Sequence, residues 1–258
     1  MEEHDIVRFA EGALRACRDV LVNEARIGIW VDGEEVAGLM ALPEELEELA
    51  LGFLYGECAF NDPSDIREVS VNPRLHAVTV ALGTKNRPSL PDVVRTFTSG
   101  CGRGISRISP YWTGHFPAVR SGACHPAGEI LEAVRTLIGS STLFRDTGGV
   151  HSAGLWTGGR FPRTCDDIGR HNAVDKVVGH ALREGWPPGE GSLLVTTGRL
   201  SSDIVLKAAR AGVPVLVSRS APTAGAVQLA EAQGITLVGF ARAGRCNIYT
   251  HPERVRES

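Results

Sequence analysis

A single cysteine in the stretch TSGCGRGISR (residues 98–107) stands between glycines, with two arginines close behind it. A thiolate is the nucleophilic form of cysteine, and neighbouring cations lower the pKa at which it forms. Arg103 and Arg107 are such cations for Cys101, and Gly100, Gly102 and Gly104 remove side-chain bulk and widen the backbone's conformational range. Residue types alone leave three readings of Cys101: a reactive thiol on a mobile loop, half of a broken redox pair, or a small residue in a turn. The chain has six cysteines, at 17, 58, 101, 124, 165 and 246, and no C-x-x-C, so a thioredoxin-like pair and a four-cysteine zinc site both lack support.

Three other segments suit an anion. TTGRLSSD (196–203) has Gly198 for a tight turn, Ser201 or Ser202 to cap a helix and Arg199 as a cation. SRSAPT (218–223) is built the same way, from Ser218, Ser220 and Thr223. In FARAGRCN (240–247), Arg242 and Arg245 flank the turn at Ala243 and Gly244, and two guanidiniums so placed can grip a pyrophosphate through paired hydrogen bonds. Phe240 and Ala241 lead into that turn. Each loop alone reads more readily as ordinary capping plus a solvated arginine, and it is their number that points to a phosphate-bearing ligand. Neither G-x-x-x-x-G-K-[ST] nor G-x-G-x-x-G occurs, which disfavours ordinary ATP and NAD sites. A fourth segment, CDDIGRHNAVDK (165–176), carries more polar groups than a helix cap needs, and Arg170 and His171 beside its glycine read as ligand contacts. His151, in TGGVHSAG, reads as a hydrogen-bonded core residue. A zinc deaminase needs H-x-E followed by P-C-x-x-C. Here His151 is followed by Ser152 and Ala153, and no protein-bound metal is expected.

The elements that must position these groups fall into two blocks. Residues 1–125 read as an α+β region. IGIWV and EEVAGLMAL form a hairpin around Asp32-Gly33, PEELEELALGFLYGE forms a helix opened by Pro43, and two more strands flank Asn72-Pro73. The pattern dissolves between Lys85 and His125, and Cys101 lies inside that irregular stretch. Residues 126–258 read as an α/β domain that holds the cofactor. A helix, PAGEILEAVRTLI, comes first, and strands then alternate with helices, which argues for a layered fold with a largely parallel sheet. Ligands of such sheets bind outside the carboxyl ends of the strands, where the three loops fall.

The chain has 258 residues, 43 % of them apolar, with a net charge of −3. That is enough for a packed core and gives no basic bias toward nucleic acid or membrane. The acidic start, MEEHDIVRF, has no apolar stretch of a signal peptide, and no run approaches the ~18 apolar residues of a bilayer span, so a cytoplasmic protein is expected.

Together the segments resemble the formate dehydrogenase accessory sulfurtransferase family, FdhD. The resemblance runs over most of the chain through ALPEELEELALGFLYGE, TSGCGRG, TGGVHSAG, DIGRHNAVDK, TGRLSSDIVLKAARAGVPVLVSRSAPT and GFARAGRCNIYTHPERV. It implies a protein that takes sulfur from a cysteine desulfurase as a cysteine persulfide. The sulfur passes to the molybdenum (or tungsten) bis(molybdopterin guanine dinucleotide) cofactor before insertion into the formate dehydrogenase apoenzyme. It also implies a cytidine-deaminase-like α/β sandwich without zinc beside a smaller α+β domain, and a homodimer. By the same resemblance Cys101 is the persulfide carrier and residues 240–245 are the cofactor-binding segment. One departure matters. Many members carry C-G-x-C in the loop, whereas this chain reads Cys101-Gly102-Arg103-Gly104. A persulfide on Cys101 therefore has no thiol three residues on, although Cys124 stands at the far end of the same stretch. The missing thiol gives weight to an alternative, a non-catalytic carrier that binds the cofactor and delivers it to the apoenzyme.

Overall fold

The structure is a computed structural model that describes residues 1–83, 118–185 and 191–257. Cys101, Arg103, Arg107 and the glycines around them lie outside the described residues.

The chain opens with a hairpin of β1 (Glu2–Ala10) and β2 (Ala13–Leu21), a two-stranded sheet of its own. β3 (Ala25–Val31) and β4 (Glu34–Ala41) then form the hairpin expected at Asp32-Gly33, and both turn residues have positive φ (49° and 90°). Helix α1 (Leu46–Gly56) follows, and β5 (Ile66–Asn72) and β6 (Ala77–Leu82) complete a four-stranded sheet in the order β4-β3-β6-β5. The helix starts three residues after Pro43, because Glu45 adopts a left-handed conformation (φ 53°, ψ 44°) that breaks the turn before it.

After the two-residue β7 (His125–Pro126) come α2 (Ala127–Ser140) and the short α3 (Thr142–Thr147). The second sheet is built from β8 (His151–Trp156), β9 (Thr164–Asp167), β10 (Leu193–Thr196), β11 (Val215–Ser218), β12 (Thr236–Arg242) and β13 (Arg245–Ile248). Helices α4 (Arg170–Arg183), α5 (Ser202–Arg210) and α6 (Ala224–Ala232) connect them. Another two-residue strand, β14 (Val255–Arg256), pairs with β7. The sheet order is β13-β12-β11-β10-β8-β9. Only β10–β11 and β11–β12 are parallel, and β8–β10, β8–β9 and β12–β13 are antiparallel. The sheet is thus mixed rather than largely parallel. Hairpins at Gly158-Gly159 and Ala243-Gly244 reverse the chain at the two flanks, and such short turns cannot make a parallel crossover.

Alternation along the strands splits the core. Leu193, Val195, Val215, Val217 and Val238 face α2, through Ile130, Val134 and Leu137. Leu194, Leu216 and Leu237 face the other way, into a cluster that also takes in α1, α4 and α5 residues and the inner face of the first sheet, Ile27, Ile29, Val78 and Val80. Helix α1 is therefore buried on nearly every side, with its two outward residues, Glu47 and Glu48, paired to Arg183 of α4. Two glycines allow the crossing. A Cβ on Gly52 would lie 1.8 Å from the Asp175 carbonyl oxygen, and one on Gly179 would lie 1.9 Å from that of Glu48. The helices touch backbone to backbone.

Candidate functional site

Antiparallel pairing of β8 with β10 and β9 brings His151 and Asp167 to the same sheet edge as the loops that leave the carboxyl ends of β10 and β11. The segment 165–176 divides there into two groups. Asp167, fully buried, accepts from Leu42 N–H (3.1 Å), Gly169 N–H (2.9 Å) and Asn172 Nδ2 (2.9 Å), and pairs with Lys176 Nζ at 2.8 Å. Lys176 Nζ also donates to the carbonyls of Leu42 (3.4 Å) and Asp166 (3.2 Å), and Asn172 Nδ2 donates to that of Met40 (2.8 Å). These groups fasten the end of β4 to α4. Asp175 pairs with Lys207 of α5; burial raises its carboxyl to about 6 although Lys207 pulls the other way.

Arg170 and His171 turn to the 196–203 loop instead. Gly198 is not there for a special backbone angle: a Cβ would meet the Arg170 side chain at 2.6 Å, so the glycine makes room for that arginine's stem. Ser201 precedes α5 but its side chain does not cap the helix. Its Oγ lies 3.2 Å from His171 Nε2, and Asp203 Oδ2 is 3.8 Å from the same nitrogen. The expected cap is given up for an imidazole contact. Burial, then the cations of Lys207 and Arg170, push His171 down to about 3, so it is neutral at physiological pH and serves as a hydrogen-bonding group. His151, lowered by burial and by Arg170, stands 3.4 Å through Nδ1 from Thr197 Oγ1.

The remaining loop residues take different parts. Ser218, fully buried, donates to the Gly198 carbonyl (2.6 Å) and accepts from Ser220 N–H (3.0 Å). The Ser220 carbonyl accepts from Phe240 N–H (3.0 Å), so the three loops are laced in a row. Thr223 caps α6 through Ala226 N–H (3.2 Å). Ala241 is core. Phe240 (φ 51°), Ala243 (φ 51°) and Gly244 (φ 76°) all have positive φ, a strained backbone around a bulge in β12. Across the turn Arg242 and Arg245 are direct partners in register. Arg199, Arg242 and Arg245 are exposed, Arg219 is half-buried, and none of the four forms an ion pair among the described residues.

Two cavities adjoin these groups. One of about 340 Å³ is bounded by His151, Thr197, Arg219 and the Gly148–Gly149 turn. The other, of about 570 Å³, lies between α2, with Leu131 and Arg135, and the turn Arg242–Gly244. Ile138 lines both. Thr197, Arg219 and Arg135 were not singled out by the sequence. The first two sit inside the polar loops and were visible as such, whereas Arg135 had no signal beyond its place on an amphipathic helix. Among the described residues no three of His, Cys, Asp and Glu converge as metal ligands, and no helix is long and apolar enough to cross a membrane.

The sequence model of the FdhD/NarQ family matches residues 22–256. The chain belongs to the FdhD/NarQ family. It is 36 % identical over 254 residues to the sulfur carrier protein FdhD of Bacillus subtilis (strain 168), covering 98 % of this chain and 97 % of the relative. It is 36 % identical over 260 residues to the sulfur carrier protein FdhD of Staphylococcus haemolyticus (strain JCSC1435), covering 99 % and 97 %. Among solved structures it is similar to a formate dehydrogenase accessory protein from Desulfotalea psychrophila, with 32 % identity, a TM-score of 0.84 and 99 % of both chains covered. That agreement supports the mixed α/β architecture of the described residues.

Proposed function

We propose that this chain is a sulfurtransferase of formate dehydrogenase maturation, carrying sulfur on Cys101. The observation that carries the reading is the sulfur-carrier role named for relatives that align with nearly its whole length. In the first step the Cys101 thiolate attacks the outer sulfur of a persulfide on a cysteine desulfurase. One sulfur–sulfur bond forms as another breaks, and the desulfurase leaves as its thiolate. In the second step the Cys101 sulfur–sulfur bond breaks and Cys101 is left as its thiolate. The outer sulfur passes to the metal of a molybdenum or tungsten bis(molybdopterin guanine dinucleotide), which is substrate here and whose metal would supply the two electrons that turn sulfane sulfur into sulfide. The cofactor then goes on to the apoenzyme.

The site supports such a cargo. A guanine dinucleotide brings a pyrophosphate, and Arg242 and Arg245 offer two guanidiniums in register beside a cavity, with Arg219 on the wall of the neighbouring one. Behind the loops, His171 meets Ser201 in a largely buried polar contact whose neutral imidazole donates or accepts without changing charge. The homodimer and the cytoplasmic setting belong to the same reading. Intact-mass measurement after incubation with a cysteine desulfurase and cysteine tests it: one added sulfur is expected, and equal loading of Cys101→Ala overturns the carrier assignment. Complementation separates the non-catalytic alternative, because a mere delivery protein tolerates Cys101→Ala.

A further inference from the structure

The outer atom of a persulfide is sulfane sulfur, and it leaves its carrier in one of two ways. In a two-thiol carrier the second thiolate attacks the inner sulfur. The carrier closes to a disulfide and the outer atom departs as hydrogen sulfide, so the carrier itself supplies the two electrons. In a one-thiol carrier those electrons have to come from the acceptor. The C-x-x-C position, 104, is glycine in this chain. The choice therefore rests on the other five cysteines, all of which lie among the described residues.

The fold withholds four of them. Cys58 is 8 % exposed, and its backbone N–H is spent on the Tyr55 carbonyl (3.0 Å). Cys165 is 2 % exposed in β9, and burial pushes its thiol up to about 12, so the attacking thiolate does not form near neutral pH. Cys246 packs against the cluster beneath α2, and burial raises its thiol as well. Cys17 is half-buried in the middle of β2, where pairing with Ile6 of β1 holds its backbone.

Cys124 is exposed, but the segment that carries it is laced down on both sides. Val119 N–H donates to the Gln233 carbonyl (2.8 Å), Arg254 Nε donates to that of Ser121 (3.2 Å), and His125 is paired with Val255 of β14. Arg254 is itself buried, with Gly234 and Thr236 as its other acceptors, so this lacing is part of the core and not a surface contact. The Cys124 Sγ donates to the Glu253 carbonyl (3.7 Å), an oxygen that accepts from a thiol and offers nothing to a thiolate.

Resting on the carrier role proposed for Cys101, we infer that this chain does not discharge its sulfur as free sulfide and passes it only as sulfane to an acceptor already reduced by two electrons. In that transfer the sulfur–sulfur bond breaks and its electron pair stays on Cys101 as the thiolate. The acceptor metal gives two electrons to the arriving sulfur, which becomes sulfide bound to a metal oxidised by two. The chain therefore works downstream of a two-electron reduction of the metal centre, the class of reaction that must supply its substrate.

The test starts from the full chain loaded by a cysteine desulfurase and cysteine, then desalted and kept dilute under argon without thiols. Intact mass and released sulfide are followed together. The wild type should stay one sulfur heavier and release no sulfide. Tris(2-carboxyethyl)phosphine, a two-electron reductant standing in for the metal, should then take the sulfur as phosphine sulfide and return the chain to its unloaded mass. Gly104→Cys restores C-x-x-C and should release sulfide unaided, roughly tenfold faster or more, ending two hydrogens lighter than the unloaded chain. Cys124→Ser should behave as the wild type. Unaided sulfide release from the wild type with an internal disulfide overturns the inference, and its loss in Cys124→Ser would name Cys124 as the resolving thiol. A Gly104→Cys variant as slow as the wild type overturns it too, because the glycine then decides nothing. A wild type that never gains sulfur sinks the carrier reading and this inference with it, whereas sulfur gained and then lost unaided sinks this inference alone.

Discussion

Two sets of charged residues in the second half of the chain are used in opposite ways. Asp167 and Lys176 pair, with further hydrogen bonds, in the seam where the end of β4 meets α4, and Asp175 pairs with Lys207 in the seam between α4 and α5. Arg219 and Arg242 line the two cavities, Arg199 and Arg245 lie in the loops next to them, and none of the four has an ionic partner among the described residues. A charge removed from water needs a partner of its own, and removing that partner is far costlier than never having the pair. An exposed guanidinium costs little and holds its hydrogen bonds in reserve. The same residue types therefore mean scaffold in one place and ligand contact in the other.

The largest effect that would sharpen this contrast is expected in the seam. Lys176→Met leaves Asp167 buried without its cation, and should cost about 3–5 kcal/mol in urea unfolding. A loss below about 1 kcal/mol would break the contrast. Gly179→Ala forces the two helices apart and should cost about 3 kcal/mol, the upper end for overpacking, in the same measurement. At the rim the signs reverse. Arg242→Ala and Arg245→Ala should each leave stability within about 0.5 kcal/mol while weakening guanosine diphosphate binding roughly tenfold or more by calorimetry. Unchanged affinity would remove the pyrophosphate assignment.

The pH dependence of stability gives a smaller effect. His171 has a folded value near 3 against an ordinary 6.5, so between those limits the unfolded chain binds a proton that the folded chain refuses. Its contribution is fully present above pH 6.5 and is lost as pH falls toward 3. Asp175, raised to about 6 from 3.8, opposes this between those two values. Unfolding free energy should therefore fall less steeply in His171→Gln than in the wild type between pH 6.5 and 4, by at most about 1.4 kcal/mol per pH unit. The smallest change is Ala243→Gly. Relief of a left-handed alanine, worth about 1–2 kcal/mol, is partly offset by glycine's extra unfolded freedom, leaving a gain of about 0.5 kcal/mol in thermal unfolding.

What could be read from the sequence followed local rules. The Asp32-Gly33 turn, the strands around Asn72-Pro73 and the strand–helix alternation of the second half all rest on turn chemistry and periodicity, and each is found. What escaped depends on distant neighbours. Gly198 is small because Arg170 lies on it, and Gly52 and Gly179 because two helices cross there. Ser201 abandons its cap because a histidine thirty positions earlier offers a better contact. Strand direction also escaped, since an antiparallel flank looks like any other apolar run. The N-terminal hairpin was missed because its alternation is broken by exposed charges and apolar residues on both faces. Of the candidate site, the loops were legible as polar segments, but their lacing through Ser218 and Ser220 was not.

The glycine crossing of α1 and α4 has a mechanical consequence. Helices that slide past one another do so by letting side chains change rotamers at a cushioned interface. Here carbonyls of one helix rest directly against the backbone of the other, and one end of the crossing is pinned by Arg183 to Glu47 and Glu48. The joint between the first sheet and the second behaves as a weld and not as a hinge. Whatever stroke brings a sulfur atom from its donor to its acceptor is denied to that joint and has to be made elsewhere in the chain.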